Sequence, residues 1–330
     1  MRRLLGLCAL LVSLVGTAAQ AEPAAVLHFG LLAVRSADQV EADWAPVLGA
    51  LERRLGVKVI PHVSHDYAGV VWALREGRDQ LAWLGNLSAI EAVDKAGCHV
   101  FARKVYPSGV SGYSSLLITA AGSKLASLDD VFARAGDLTY GRGDTNSTSG
   151  TLMPSYYLFS ARQVEPHRIF KRVVRASHEE NVRAVLDGRV DVASVASDLL
   201  DTIARDGKGG VRSLRVLWRS PLIPGDPLVW RNDLSEGLKR QVREFFLDYG
   251  VESRGKAAGR LAEEQAHLAR LNILRFDASD DGQLLPVRRV ELFKDRLQIE
   301  ASGDLTAEER GRRLDDIDGR LAALSDRGRQ

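Results

Sequence analysis

Cysteine is almost missing from this chain: there are two in 330 residues, Cys8 and Cys98. Cys8 falls inside a short apolar run from Leu4 to Val15. That run follows Arg2-Arg3 and precedes Ala19-Gln-Ala21, the order of an export leader cleaved after Ala21. Cys8 sits too early in it to serve as a lipid anchor. Loss of the leader leaves Cys98 alone, so no intramolecular disulfide can form and the exported fold must rest on its hydrophobic cores. Ala96, Val100 and Phe101 around Cys98 predict a buried structural thiol.

Net charge is missing as well. Without Arg2 and Arg3, 43 basic residues face 43 acidic ones, which gives no support for nucleic-acid binding. No later run is long and apolar enough to span a bilayer. The chain has no Walker loop, no HExxH and no Gly-x-Ser-x-Gly, and Gly141 and Gly143 lack the third glycine of a dinucleotide fingerprint. Of seven histidines only His62 and His65 stand close together, with no third ligand evident. These absences argue against an exported hydrolase, so no catalytic residue, metal or cofactor is expected.

What is present is alternation. Val26–Ala33 reads as a buried strand. Trp44, Val47, Leu48, Leu51 and Leu55 follow at helical spacing, stopped by Gly56. Val57–Val63, Gln80–Leu84, Cys98–Val105 and Tyr113–Ala120 read as further strands. Helices from Asp66 and from Asn86 or Ser88 lie among them. A second block repeats the pattern. Its strands are 138–140, 170–174, 190–195 and 214–218, and its helices are 128–135, 148–159, 178–186 and 198–205. After Trp230 the pattern is helical: 234–249, 255–266, 284–293 and 306–324. Strand–helix alternation with short turns predicts parallel-rich sheets with helices on both faces, and two blocks predict two cores. Leu314, Ile317, Leu321 and Leu324 give the last helix an apolar stripe, to dock on the body or to pair with a second subunit.

One stretch concentrates chemistry. Leu138-Thr-Tyr-Gly-Arg-Gly-Asp-Thr-Asn-Ser-Thr-Ser-Gly150 reads as strand, Gly-rich turn and a run of hydroxyls where a helix begins. A helix start offers unpaired N–H groups and the positive end of the dipole. Ser147, Thr148 and Ser149 there make a site for a tetrahedral oxyanion, or else ordinary helix caps.

Four segments, Asp66-Tyr-Ala-Gly69, Gly85-Asn-Leu-Ser-Ala89, Asn146-Ser-Thr-Ser-Gly150 and Ser220-Pro-Leu-Ile-Pro-Gly-Asp-Pro-Leu-Val-Trp230, together closely resemble the phosphonate ABC-transporter substrate-binding proteins. The likeness runs from about Leu27 into the last third of the chain and is weakest in the tail. It implies a type II, two-domain periplasmic binding protein that closes as a clamshell on a phosphonate, 2-aminoethylphosphonate above all, and passes it to an inner-membrane permease. The implied limits are a signal peptide at 1–21, lobe 1 at 22–119 and 226–297, lobe 2 at 120–225, and a helical extension at 298–330.

The resemblance also implies ligand-binding roles. Ser147, Thr148 and Ser149 would hold the phosphonate with Tyr67, Tyr113 and His178. Asp198, where Glu is expected, and Asp226 would take an amine. Leu84 stands where the family often carries an aromatic residue. The residues support this on their own terms. Hydroxyls, phenols and an imidazole can donate to an anion, and charged hydrogen bonds contribute roughly 1.5–3 kcal/mol each. Two carboxylates can balance an ammonium. Local structure offers alternatives: Tyr67 in a core, His178 or Asp198 as a helix cap, Asp226 as a turn residue. Glu179 and Glu180 read as solvated helix charges. Trp72, Trp83, Trp218 and Trp230 read as core or wall. Binding or sensing of phosphite or phosphate is the competing function.

Overall fold

The computed structural model describes residues 26–327, with 65, 206, 208 and 209 left out. The leader, Cys8 and His65 therefore lie outside the described residues. In chain order the strands are β1 (Val26–Leu32), β2 (Lys58–Ser64), β3 (Leu81–Trp83), β4 (Cys98–Val105), β5 (Gly112–Tyr113), β6 (Ser115–Ala120), β7 (Thr139–Arg142), β8 (Arg172–Arg175), β9 (Val192–Ala196), β10 (Leu214–Arg219), β11 (Ile223–Pro224), β12 (Pro227–Arg231) and β13 (Arg275–Ala278).

Two open sheets result. One runs β13-β4-β12-β3-β1-β2, with β1 parallel to β2 and β3, and β12 antiparallel to β3 and β4. The other runs β10-β6-β9-β7-β8, with β7 parallel to its neighbours and β6 antiparallel to β9 and β10. The chain passes between them around β5 and β11, which pair with each other as a separate ladder. Each sheet has its own aromatic centre. Phe29 lies 5.5 Å from Trp44 and 6.1 Å from Phe246 in the first. Tyr140, Phe159 and Phe170 meet within 6.0 Å of each other in the second, where the Tyr140 hydroxyl and Ser194 Oγ are 2.7 Å apart. Cys98 is buried, and burial pushes its thiol up to about 12.

Several expectations need correction. β12 and β13 lie where only turns and helices were expected. β12 is a central strand, and the prolines around it disguised it. Pro227 is tolerated because it opens the strand. β13 is a short edge strand in which only Phe276 is fully buried. β6 is bonded into the second sheet from Ser115 on, so a boundary at 119/120 falls inside it. A boundary at 297/298 likewise falls inside one helix, Leu285–Ala301. Neither Asn86 nor Ser88 caps the helix Asn86–Lys95. Its N-cap is Gly85, with no side-chain cap bond. Trp72 is 52% exposed, with the Arg78 guanidinium over its ring, and is neither core nor wall.

The last helix, Ala307–Arg327, lies along Leu285–Ala301. Leu292, Ile317 and Leu324 are buried between them, with Leu321 packed alongside. Arg288 ties the pair to the first sheet's layer through a two-bonded contact with Asp94, 2.6 Å on each side.

The turn Pro224-Gly225-Asp226-Pro227 joins the small ladder to β12. A Cβ on Gly225 would stand 2.1 Å from the Lys104 carbonyl oxygen, so only glycine lets the turn pass this close to β4. Gly225→Ala is expected to destabilise the protein by about 1–3 kcal/mol through overpacking. The urea midpoint should fall with an unchanged slope; an unchanged midpoint would show that the turn has room to move.

Candidate functional site

The two sheets present their ends to one cavity. All eight residues singled out from the sequence line it: Tyr67, Tyr113, Ser147, Thr148, Ser149, His178, Asp198 and Asp226. The space open to the centres of water-sized groups is about 70 Å³. One such group needs about 10–15 Å³, so the cavity takes roughly five to seven heavy atoms.

One end is rich in donors. Gly143 and Gly150 close the loop between them, with Gly143 N–H donating to the Gly150 carbonyl at 2.9 Å. A Cβ on Gly143 would come within 2.6 Å of the Gly150 Cα, so the pinch requires glycine. The pinch delivers Ser147, Thr148 and Ser149 to the cavity at the start of a helical stretch. Thr148–Leu152 and Ser155–Phe159 are wide π-helical turns, and Leu152 N–H reaches back five residues to the Ser147 carbonyl. Turns of this kind recur at functional sites. Ser147 Oγ accepts from Gly150 N–H at 3.0 Å. Thr148 Oγ1 accepts from Leu87 N–H at 2.8 Å and so caps the helix Asn86–Lys95 from the opposite layer.

His178 faces the same hydroxyls, with Nε2 3.4 Å from Ser147 Oγ and 3.5 Å from Ser149 Oγ. It is not the cap of its helix. Ser177 is, in a capping box with Glu180. Burial alone holds the imidazole down at about 4, and its buried Nδ1 has no hydrogen-bond partner among the described residues. The ring is therefore neutral near pH 7 and donates from one nitrogen only. Tyr67, first residue of the helix Tyr67–Arg75 behind its cap Asp66, is buried. Burial pushes its phenol well above the usual range, with the Ser147 hydroxyl opposing the shift.

The other end is acidic. Asp226 is 7% exposed. Burial raises it to about 7, with Lys104 opposing and Asp198 adding to the rise. Asp198 is raised by burial, again with Lys104 opposing. Tyr113 and Trp83 act on Asp226 as donors. Oδ1 of Asp226, Oδ1 of Asp198 and Trp83 Nε1 nevertheless have no partner of good hydrogen-bond geometry among the described residues. Buried polar atoms are normally satisfied, so unpaired acceptors aimed into a cavity call for a donor there. Asp198 lies one residue inside its helix, Ser197–Arg205, where the backbone N–H groups of Asp198 and Leu199 also oppose the rise, and its backbone carbonyl accepts from Asn272 Nδ2 at 3.1 Å.

Sequence reasoning missed several participants. Lys104, Trp44 and Arg35 also line the cavity. In sequence Lys104 is one of three basic residues of the strand Cys98–Val105, with His99 and Arg103, and nothing there sets it apart. Leu84 is buried but does not line the cavity; the neighbouring Trp83 supplies the aromatic wall. Glu179 is not a solvated charge. It is buried and accepts from Arg35 Nε at 3.4 Å and from Arg183 Nη2 at 2.7 Å, linking the two layers at the cavity mouth. His62 is engaged elsewhere, with Nδ1 2.8 Å from buried Asp79. Trp230 stacks on Phe101 at 4.4 Å and 8°, away from the cavity.

The raised acid carries a stability consequence. An unfolded aspartate titrates near 3.8 and Asp226 near 7. Below about pH 4 both states hold the proton. As pH rises through about 7 the folded state is the one held back, so stability is lost across that window. Asp226→Asn is expected to melt several degrees above the wild type at pH 8, with little difference at pH 4. Calorimetric melts across that range check this, and equal shifts at both pH values would refute it.

Comparison with known proteins identifies the family. A family model described as "ABC transporter, phosphonate, periplasmic substrate-binding protein" matches residues 29–284. The "Phosphonates-binding periplasmic protein" of Escherichia coli (strain K12) is 39% identical over 322 residues, 96% of this chain and 92% of that protein. The crystal structure of a binding protein component of an ABC phosphonate transporter from Pseudomonas aeruginosa superposes with a TM-score of 0.86 at 42% identity, over 92% of this chain and 98% of that one. A Prochlorococcus marinus (MIT 9301) protein solved with methylphosphonate shares the fold at a TM-score of 0.70 and 20% identity, over 82% of this chain and 98% of that one. No described helix is long and apolar enough to cross a membrane. The fold is the two-lobed α/β clamshell of type II binding proteins, and the chain belongs to the periplasmic substrate-binding proteins of phosphonate ABC transporters.

Proposed function

We propose that the mature chain, cut from its leader after Ala21, binds one phosphonate between the lobes and hands it to an inner-membrane permease, with 2-aminoethylphosphonate as the best-fitting ligand. One observation carries this reading. A single small cavity has hydroxyls and helix-start N–H groups at one end and two unsatisfied carboxylate oxygens at the other. A phosphonate suits the first end, because an anion leaving water must be hydrogen-bonded throughout. A primary ammonium suits the second.

The lobes would turn about the two passages between the sheets, residues 106–114 and 220–226, a hinge closure of the kind common to ligand-trapping proteins. Tyr67 and Thr148 then come from opposite lobes to the same ligand group, so closure and binding are coupled. Phosphite and phosphate would fill the donor end only and leave the aspartates without a partner, which is why they rank second.

Calorimetric titration of the mature protein against 2-aminoethylphosphonate, methylphosphonate, phosphite and phosphate tests the reading. The amine ligand should bind most tightly; a preference for phosphite or phosphate would sink the tail assignment. Asp226→Ala should weaken 2-aminoethylphosphonate by roughly 2–5 kcal/mol, since a buried ammonium loses its partner, and change methylphosphonate far less. Equal losses for both would refute the role of Asp226. Thr148→Val should weaken every phosphonate by a similar amount, roughly 1.5–3 kcal/mol, because it touches the shared group. A loss confined to one ligand would contradict that placement.

A further inference from the structure

Lys104 occupies an unusual position. It lies near the end of β4 with its side chain in the cavity wall, and it is 3% exposed. Its Nζ sits 3.7 Å above the Trp83 ring centroid and 5.9 Å from that of Trp44. No carboxylate among the described residues makes an ion pair with it. Asp226 and Asp198 act on it through space, in that order, against the burial that lowers its hold on a proton. A desolvated cation is attracted to an indole face, which holds Lys104 there without a direct carboxylate contact.

We propose that Lys104 is a specificity-determining residue of the cleft, a built-in cation that widens the range of phosphonate tails it accepts. The argument is a charge count. Arg35, Asp43 and Arg270 also line the cavity, but Lys104 is the cation that acts on Asp226 and Asp198, and these two aspartates with one lysine leave one negative charge at the tail end. A ligand ammonium cancels it. A ligand with an uncharged tail is accommodated instead by a proton on Asp226, and Lys104 still balances Asp198. A carboxylate tail can meet the lysine itself. Without Lys104 no cation would face the two aspartates until a ligand brought one, and the tail end would select amines far more sharply.

This rests on the phosphonate reading of the cleft, and one set of titrations separates the two. Wild type and Lys104→Met are titrated with 2-aminoethylphosphonate, methylphosphonate and phosphonoacetate. Removing a nearby positive charge should strengthen the amine ligand and weaken the carboxylate ligand, each by about tenfold relative to methylphosphonate. Opposite signs are the diagnostic feature, because a merely structural lysine would move all three ligands together. If all three shift by one factor, the assignment of Lys104 falls while the phosphonate site stands. If the wild type binds no phosphonate, the functional reading falls and takes this one with it. Should Lys104→Met fail to fold by circular dichroism, Lys104→Gln carries the same expected signs and the same test.

Discussion

Asp226 is a carboxylate where water has little access, and much of the surrounding architecture answers to that cost. A lone buried carboxylate is penalised by several kcal/mol unless charges and donors face it. Here Lys104 supplies a charge, and the Tyr113 hydroxyl and the Trp83 N–H stand near enough to act on the acid without satisfying its Oδ1. Each depends on a particular piece of the fold. Gly225 lets the turn lie against the Lys104 carbonyl, and β12 then runs antiparallel between β3, which carries Trp83, and β4, which carries Lys104. The antiparallel insertion of β12 into an otherwise parallel half-sheet is thus what gathers the acid, its cation and its aromatic wall.

The opposite end solves a different problem. Its donors are mostly neutral: His178 is held uncharged by burial, and beside it stand hydroxyls and a helix start, with Arg35 a charged group in the same lining. Neutral donors of this kind can hydrogen-bond a tetrahedral oxyanion without each bringing a charge of its own. The hydroxyls are held by bonds of their own, Ser147 through Gly150 and Thr148 through Leu87. The donors are therefore largely arranged in advance, which lowers the entropy lost when an anion is gripped.

Much of this was legible from residue order. The strand–helix alternation, the hydroxyl run behind Gly143 and the eight cavity residues were all found by pattern and by likeness to one family. Strand β12 was hidden because proline-rich text reads as turn, whereas Pro227 occupies the one strand position that needs no donor. Strand β13 was hidden because an edge strand with a single buried phenylalanine has no periodicity to detect. Lys104 was overlooked for a different reason. A lysine in a strand is usually solvated, and only the three-dimensional stack on Trp83 shows that this one is not. Glu179 reversed in the same way, since its partner Arg35 lies 144 positions away.

The C-terminal pair of helices constrains how far the molecule can gape. Arg288 bolts it to Asp94 on one side, while on the other Phe293 rests on Tyr156 with ring centres 6.3 Å apart. The first contact is a pair of directional charged bonds; the second is a sliding aromatic face. If the lobes turn as proposed, Tyr156 shifts against Phe293 while Arg288 stays with Asp94. The helical hairpin thus touches both halves of the molecule, anchored by a charged pair to one and by an aromatic face to the other.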